Sequence, residues 1–173
     1  IVGGNFYTTS VTNPSLATIT TAAYQGVGSS VDAGSSSFRA GAVTFNVNNN
    51  PVKIQSVRFN VNGSITPSSD MANLKLRIDG QEVATGVVTG NNLYFDLAST
   101  PKLLNTGSHL MEVYADILGT PNRTFTLEIL RPYDVLVWDT QYNTNISFGT
   151  PTGTATLVSV RKGTATISKA SDT

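Results

Sequence analysis

Cysteine is absent from this 173-residue chain, which excludes disulfide frameworks, thiolate metal sites and thiol nucleophiles. Charge is scarce. Lys plus Arg and Asp plus Glu number 11 each, so the formal net charge is zero and charged residues make up 13% of the chain, against about 25% in an ordinary globular protein. Neither nucleic acid nor an acidic membrane surface is expected as a partner, because both demand a concentrated positive field. Little charge also gives little electrostatic protection against self-association, which suits a subunit better than a free monomer. No apolar run approaches the roughly 18 to 20 residues that span a bilayer, so no membrane span is expected. The head Ile1-Val2-Gly3-Gly4-Asn5 also lacks the basic start of a secretory signal.

The scarcity of charge is most extreme at the head, where no charged residue precedes Asp32. Such a stretch of β-prone sequence without the charges that guard an exposed edge needs a cover. The two ends also echo each other: Ser15-Leu16-Ala17-Thr18-Ile19-Thr20-Thr21-Ala22 near the start, Gly163-Thr164-Ala165-Thr166-Ile167-Ser168-Lys169-Ala170 near the finish. The cover is then the chain's own sheet, a following domain or a neighbouring copy.

Period-two alternation recurs throughout, and helical periodicity does not. Leu74, Leu76 and Ile78 share one face of a strand with Lys75 and Arg77 on the other, and Asp79-Gly80 after it carries the chemistry of a two-residue hairpin turn. Val52 and Ile54 are out of phase with Val57, Phe59 and Val61, which predicts a β-bulge near Gln55-Ser56. Leu93/Phe95/Leu97, Met111/Val113/Ala115/Ile117 and Phe125/Leu127/Ile129 supply three further one-sided strands, and 134–138 and 154–160 two more. The separators, such as Asn48-Asn49-Asn50-Pro51 and Thr66-Pro67-Ser68-Ser69-Asp70, are turn material, and all seven prolines fit turns or strand ends. The expected fold is all-β: an immunoglobulin-like antiparallel β-sandwich of seven to ten strands over about 36–160. The expected division is residues 1–24 as an N-terminal extension or donor strand and 25–173 as the sandwich, with a strand-like tail at 161–173.

No constellation for chemistry emerges. Ile1-Val2-Gly3-Gly4 matches the activated N-terminus of trypsin-like proteases, but the only histidine is His109 and no Gly-Asp-Ser-Gly-Gly context exists. His109 reads as structural or surface, since nothing suggests a partner for a general base. Asp116, Asp134 and Asp139 form a loose acidic set without the Asp-x-Asp-x-Asp spacing of a calcium loop. No catalytic, metal or cofactor site is therefore expected, and the chain reads as not an enzyme. Tyr133, Trp138, Tyr142 and Phe148 are expected to pack in the core, with a glycan platform as the second reading. Glycosylation acceptors stand at Asn62, Asn122 and Asn145.

The run Ala72-Asn73-Leu74-Lys75-Leu76-Arg77-Ile78-Asp79-Gly80-Gln81-Glu82-Val83, then 92–97, 107–117 and 123–127, resembles the Ig-like β-sandwich repeats of secreted bacterial cell-surface and filament proteins of the surface-layer or adhesin type. The similarity covers about residues 36–140 as pattern more than identity. It implies that a strand such as Gly163–Ile167 opens a following domain. Composition and resemblance together lead to the expectation of an extracellular, cell-surface structural subunit. It would polymerise head to tail with itself into a pilus-like filament by donor-strand exchange. Phe6, Thr8, Val11, Leu16 and Ile19 would form the donor strand. The alternative is a glycan- or protein-binding module of a surface array, with a surface glycan as partner.

Overall fold

Residues 15–163 are the part of the chain that the computed structural model describes, and they form thirteen strands and one four-residue helix. In chain order these are β1 (Thr18–Tyr24), β2 (Ser30–Asp32), β3 (Ser35–Asn48), β4 (Val52–Gly63), α1 (Pro67–Asp70), β5 (Met71–Ile78), β6 (Gln81–Thr89) and β7 (Asn92–Asp96). There follow β8 (Lys102–Leu104), β9 (Gly107–Ile117), β10 (Thr124–Glu128), β11 (Val135–Asp139), β12 (Thr144–Ile146) and β13 (Val158–Arg161). All join one sheet in the order β1-β3-β9-β5-β6-β7-β4-β10-β13-β2, with β8 and β11 also on β4 and β12 on β11. The fold is therefore all-β, and its sheet curls so that one arm (β1 to β5) faces the other (β7 to β2).

The hinge of this curl is β6. Its first half pairs with β5, from Ile78↔Gln81 to Lys75↔Thr85, and its second half pairs with β7, from Gly86↔Phe95 to Thr89↔Asn92. The switch falls at Gly86, where an added Cβ would lie 2.5 Å from a ring carbon of Phe95 and 2.9 Å from Cβ of Leu74. Only a residue without a side chain lets the strand pass between those two core groups. Both arms fill one core: Phe45 of β3 meets Phe148 edge-on with ring centroids 5.0 Å apart, and Leu127 of β10 closes over Gly41 of β3. Each buried phenylalanine or leucine contributes on the order of 1.5–3 kcal/mol.

The long alternating runs behave as read. Leu74, Leu76 and Ile78 are buried, as are Met111, Val113, Ala115 and Ile117. Asp79 (φ 52) and Gly80 (φ 78) form the two-residue turn between β5 and β6, the paired positive φ values of a type I′ hairpin. The phase change in β4 is a bulge: Leu136 faces Ser56 and Val137 faces Ile54, so Gln55 is the extra residue.

Other expectations needed correction. The strand count exceeds seven to ten in part because β2, β8 and β12 have only three residues each, too few to show alternation, whereas β13 overlaps the strand expected at 154–160. Thr66–Asp70 was read as a turn and contains α1, begun by Pro67 at its first position. Of the four aromatics expected in the core, only Phe148 is buried; Tyr133 and Tyr142 are exposed and Trp138 is half-buried. Trp138 alternates with the inward Val135, Val137 and Asp139 of β11, so strand parity turns its ring outward.

Candidate assembly edge

The strand that carries the uncharged head sequence is β1. It lies at one edge of the sheet, paired with β3 from Thr18↔Asn48 to Tyr24↔Val43, with a bulge between Thr20 and Ala23. Tyr24 anchors its far end: the phenol donates to the Ile129 carbonyl at 3.3 Å and accepts from the Ile129 N–H at 2.9 Å. Burial pushes the Tyr24 hydroxyl above its ordinary pKa, against the lowering effect of the Ile129 backbone bond.

The outer side of β1 is covered only in part. Thr152 bonds Ala22 O (2.7 Å) and Tyr24 N (3.1 Å), whereas Thr18 to Thr21 have no strand outside them among the described residues. Other edges are short or charged: β2 has three residues with Asp32 paired to Arg161 at 3.3 Å, and β8 has three residues including Lys102. β1 has seven residues and no charge. Apart from the bulge after Thr20 and the cover by Thr152 it carries neither charge nor proline against edge-to-edge pairing.

The start of β1 is held by a buried polar clamp. Asp139, with no exposed surface, accepts the Ala17 N–H at 2.6 Å and the Asn50 amide at 3.1 Å through Oδ2, and the Gln141 and Tyr142 N–H groups at 2.7 and 3.1 Å through Oδ1. Desolvation pushes this carboxyl up, but the four hydrogen bonds, Ala17 first, outweigh it and hold the pKa below the usual 3.8. The Asn50 and Asn49 amides also donate to the carbonyls of Ser15 and Leu16, both at 2.8 Å. The chain is thus fixed residue by residue at the point where residues 1–14 join the fold.

Between this start and β12 runs a groove of about 450 Å³, lined by Leu16, Ala17, Thr18, Ile19, Asn145 and Ile146 among others. Leu16 and Ile19, expected in a donated strand, are here at the start of and within a strand already paired to its own chain. Phe6, Thr8 and Val11 lie outside the described residues, as does the tail beyond Gly163.

The acidic set does not converge. Asp139 is in the clamp, and Asp116 accepts from the Asn73 amide (2.6 Å) and the Ser37 N–H (2.7 Å), which hold its pKa low. Asp134 accepts the Arg131 N–H at 3.0 Å and stands 3.9 Å from Arg58. Both ring nitrogens of His109 are occupied, at 2.7 Å from Asp79 Oδ2 and 2.7 Å from Asn105 O, so the ring staples the β5–β6 turn to β9. Among the described residues no three metal-ligating side chains gather, and no helix is long and apolar enough to cross a membrane. Asn62, Asn122 and Asn145 are all exposed.

One polar feature had no signal in the one-dimensional pattern. Two adjoining depressions of about 350 and 180 Å³ share Arg58 and Asn92, with Tyr94 and Thr89 around the first and Asn60, Arg131 and Asp134 around the second. Asn60 and Asn92 bond each other only at 3.5 Å, which leaves most of their donor and acceptor capacity for solvent or a ligand.

No family model matches the chain, and no curated protein matches it. Among solved structures it is similar to AvmM, which catalyzes macrocyclization in alchivemycin A biosynthesis, at 13% identity and a TM-score of 0.39, over 85% of this chain and 90% of that one. It is also similar to BcpA, the major pilin subunit of Bacillus cereus, at 10% identity and a TM-score of 0.28, over 83% of this chain and 40% of that one. Both likenesses are too slight to assign an activity or a fold family.

Proposed function

We propose that the chain is an extracellular structural subunit, non-catalytic, whose Ig-like sandwich polymerises head to tail into a pilus-like filament. In this reading residues 1–14 of each copy add as a strand to the next. The observation that carries it is the assembly edge: a seven-residue edge strand without charge, clamped at its start by Asp139, Asn49 and Asn50. Residues 1–14 likewise carry no charged side chain and include three Thr, two Val, one Phe and one Tyr. Strand addition supplies a continuous row of main-chain hydrogen bonds, with side-chain pockets for alternate residues. A head that adds to a different surface of the next copy makes a contact that does not close, and such contacts propagate as fibres.

Deleting residues 1–14 removes the donor and spares every bond of the clamp. The expected result is a folded, soluble monomer where the full chain gives filaments by electron microscopy and sedimentation. Filaments of normal length from the deleted chain would sink the reading.

The depression around Arg58, Asn60, Asn92 and Tyr94 favours a second reading, a glycan-binding module. It predicts a monodisperse full-length monomer at high concentration, with affinity for a surface polysaccharide that Tyr94→Ala and Arg58→Ala abolish. Calorimetric titration with purified wall polysaccharide separates the two readings.

A further inference from the structure

The curled sheet is open on two flanks. On one, β1 ends the first arm beside β12, and here residues 1–14 join the fold. On the other, β6 leaves β5 at Gly86 to pair with β7, so the two arms part. The β5–β6 ladder covers only Lys75–Ile78; Ala72–Leu74, bulged at Asn73 (φ 49), have no strand beside them on that side among the described residues, while the Met71 N–H is taken by the Pro67 carbonyl of α1, which also approaches β6. Gly86–Thr89 of β6 are likewise unpaired on the side turned away from β7. The result is a wedge of about 350 Å³, tight at Leu74 and Gly86 and lined also by Ala72 and Val88.

We propose that this β5–β6 flank is the acceptor for the N-terminal segment, residues 1–14, of a second copy of the chain. The inference rests on the filament reading and names its receiving surface. A strand entering the wedge meets the unpaired edge of Gly86–Thr89 on β6 and lies against the bulged Ala72–Leu74 of β5, whereas one added to a plain edge has a neighbour on one side only. The wedge's one charged lining residue, Lys75, is neutralised by Glu82 at 3.0 Å, which suits an occupant without charge. Fourteen extended residues reach about 46 Å, and a ladder along Gly86–Thr89 of β6 needs only about 13 Å. Position supplies the rest. The segment departs at β1 and the wedge lies past β3, β9 and β5, at the opposite side of the same arm. Donor and acceptor on opposite flanks give a head-to-tail contact; an acceptor at β1 itself would favour reciprocal, closed pairs.

The absence of native cysteine makes the test direct. Full-length Thr8→Cys or Thr9→Cys, one for each face of the donor, is mixed with full-length Ala72→Cys and, separately, with Thr18→Cys at the other flank. Under mild oxidation the Ala72→Cys mixtures are expected to yield disulfide-linked dimer in about tenfold excess over the Thr18→Cys mixtures, since bridging demands close Cα atoms. Preferential linkage to Thr18→Cys while filaments still form overturns the acceptor assignment and leaves the filament reading standing. So does a doubly substituted Thr8→Cys/Ala72→Cys chain that bridges only within one molecule. If the unsubstituted full chain forms no filaments, the filament reading itself fails, and this inference with it.

Discussion

Replacing Asp139 by Ala is expected to lower the stability of the fold by about 3–5 kcal/mol, the upper range for a single substitution. The carboxylate is fully buried and accepts four hydrogen bonds, from Ala17, Asn50, Gln141 and Tyr142. Its removal leaves buried donors with neither protein nor water to bond. In a chain of this size the melting temperature falls by roughly 8–15 °C, measured by thermal and urea unfolding. A loss below about 1 kcal/mol would show that water replaces the carboxylate and that the clamp is not structural. Because the clamp holds Ser15–Ala17, limited proteolysis of the variant is expected to cut β1 before the remainder.

The same group sets an acid sensitivity. Its folded pKa lies below the unfolded 3.8, so its stabilisation is complete above the unfolded value and is lost as pH falls through the folded one. Wild-type stability should therefore decline below about pH 4. Asp139→Asn, less stable at neutral pH, should decline less steeply there. The residual slope belongs in part to Asp116, whose pKa is lowered by Asn73 and Ser37.

Gly63→Ala is expected to cost about 4 kcal/mol, the sum of a strained backbone and an overpacked contact. Gly63 ends β4 at φ +138, and a Cβ there would lie 2.2 Å from the Thr124 carbonyl oxygen and 2.8 Å from Cα of Phe125. Both are backbone atoms and cannot rotate away. That carbonyl also accepts the N–H groups of Ser64 and Ile65 at 2.9 and 3.2 Å, so displacing it breaks the crossing from β4 to β10 as well. Equilibrium urea unfolding reads the loss. A variant of wild-type midpoint would mean that the β4–β10 crossing relaxes freely.

Much of the fold was legible where strands are long enough to repeat their pattern. Alternation in β5 and β9 marks which face is buried, and the phase slip between Ile54 and Val57 announced the bulge at Gln55; β3, the longest strand, had no such signal, because Ala40–Val43 are all buried and its register slips twice. The three-residue strands β2, β8 and β12 were illegible because one or two side chains per face are no pattern. Trp138 was misplaced for a related reason. Hydrophobic type suggested core, while its parity with Val137 and Asp139 turned it outward, and parity prevails because side chains alternate strictly along a strand. Asp139 stood among loosely spaced acids in the sequence. Its role as clamp became visible only when β11 was brought beside Ala17, 122 positions away.

The sequence by itself determined that the chain is all-β, where strands such as β4, β5 and β9 and the β5–β6 turn fall, and that its head carries no charge. These properties are local, written in alternation, turn residues and composition within a few positions of each other. Tertiary structure alone decided which strands become edges, that Ile19 is paired within its own chain, and that β6 changes partners at Gly86 to open a flank opposite β1. Each depends on which strands meet across long sequence separations, and backbone hydrogen bonds are the same for every partner. Strand neighbours are chosen instead by the shared core and by close approaches such as that of Gly86 to Phe95, which exist only once the sheet has curled.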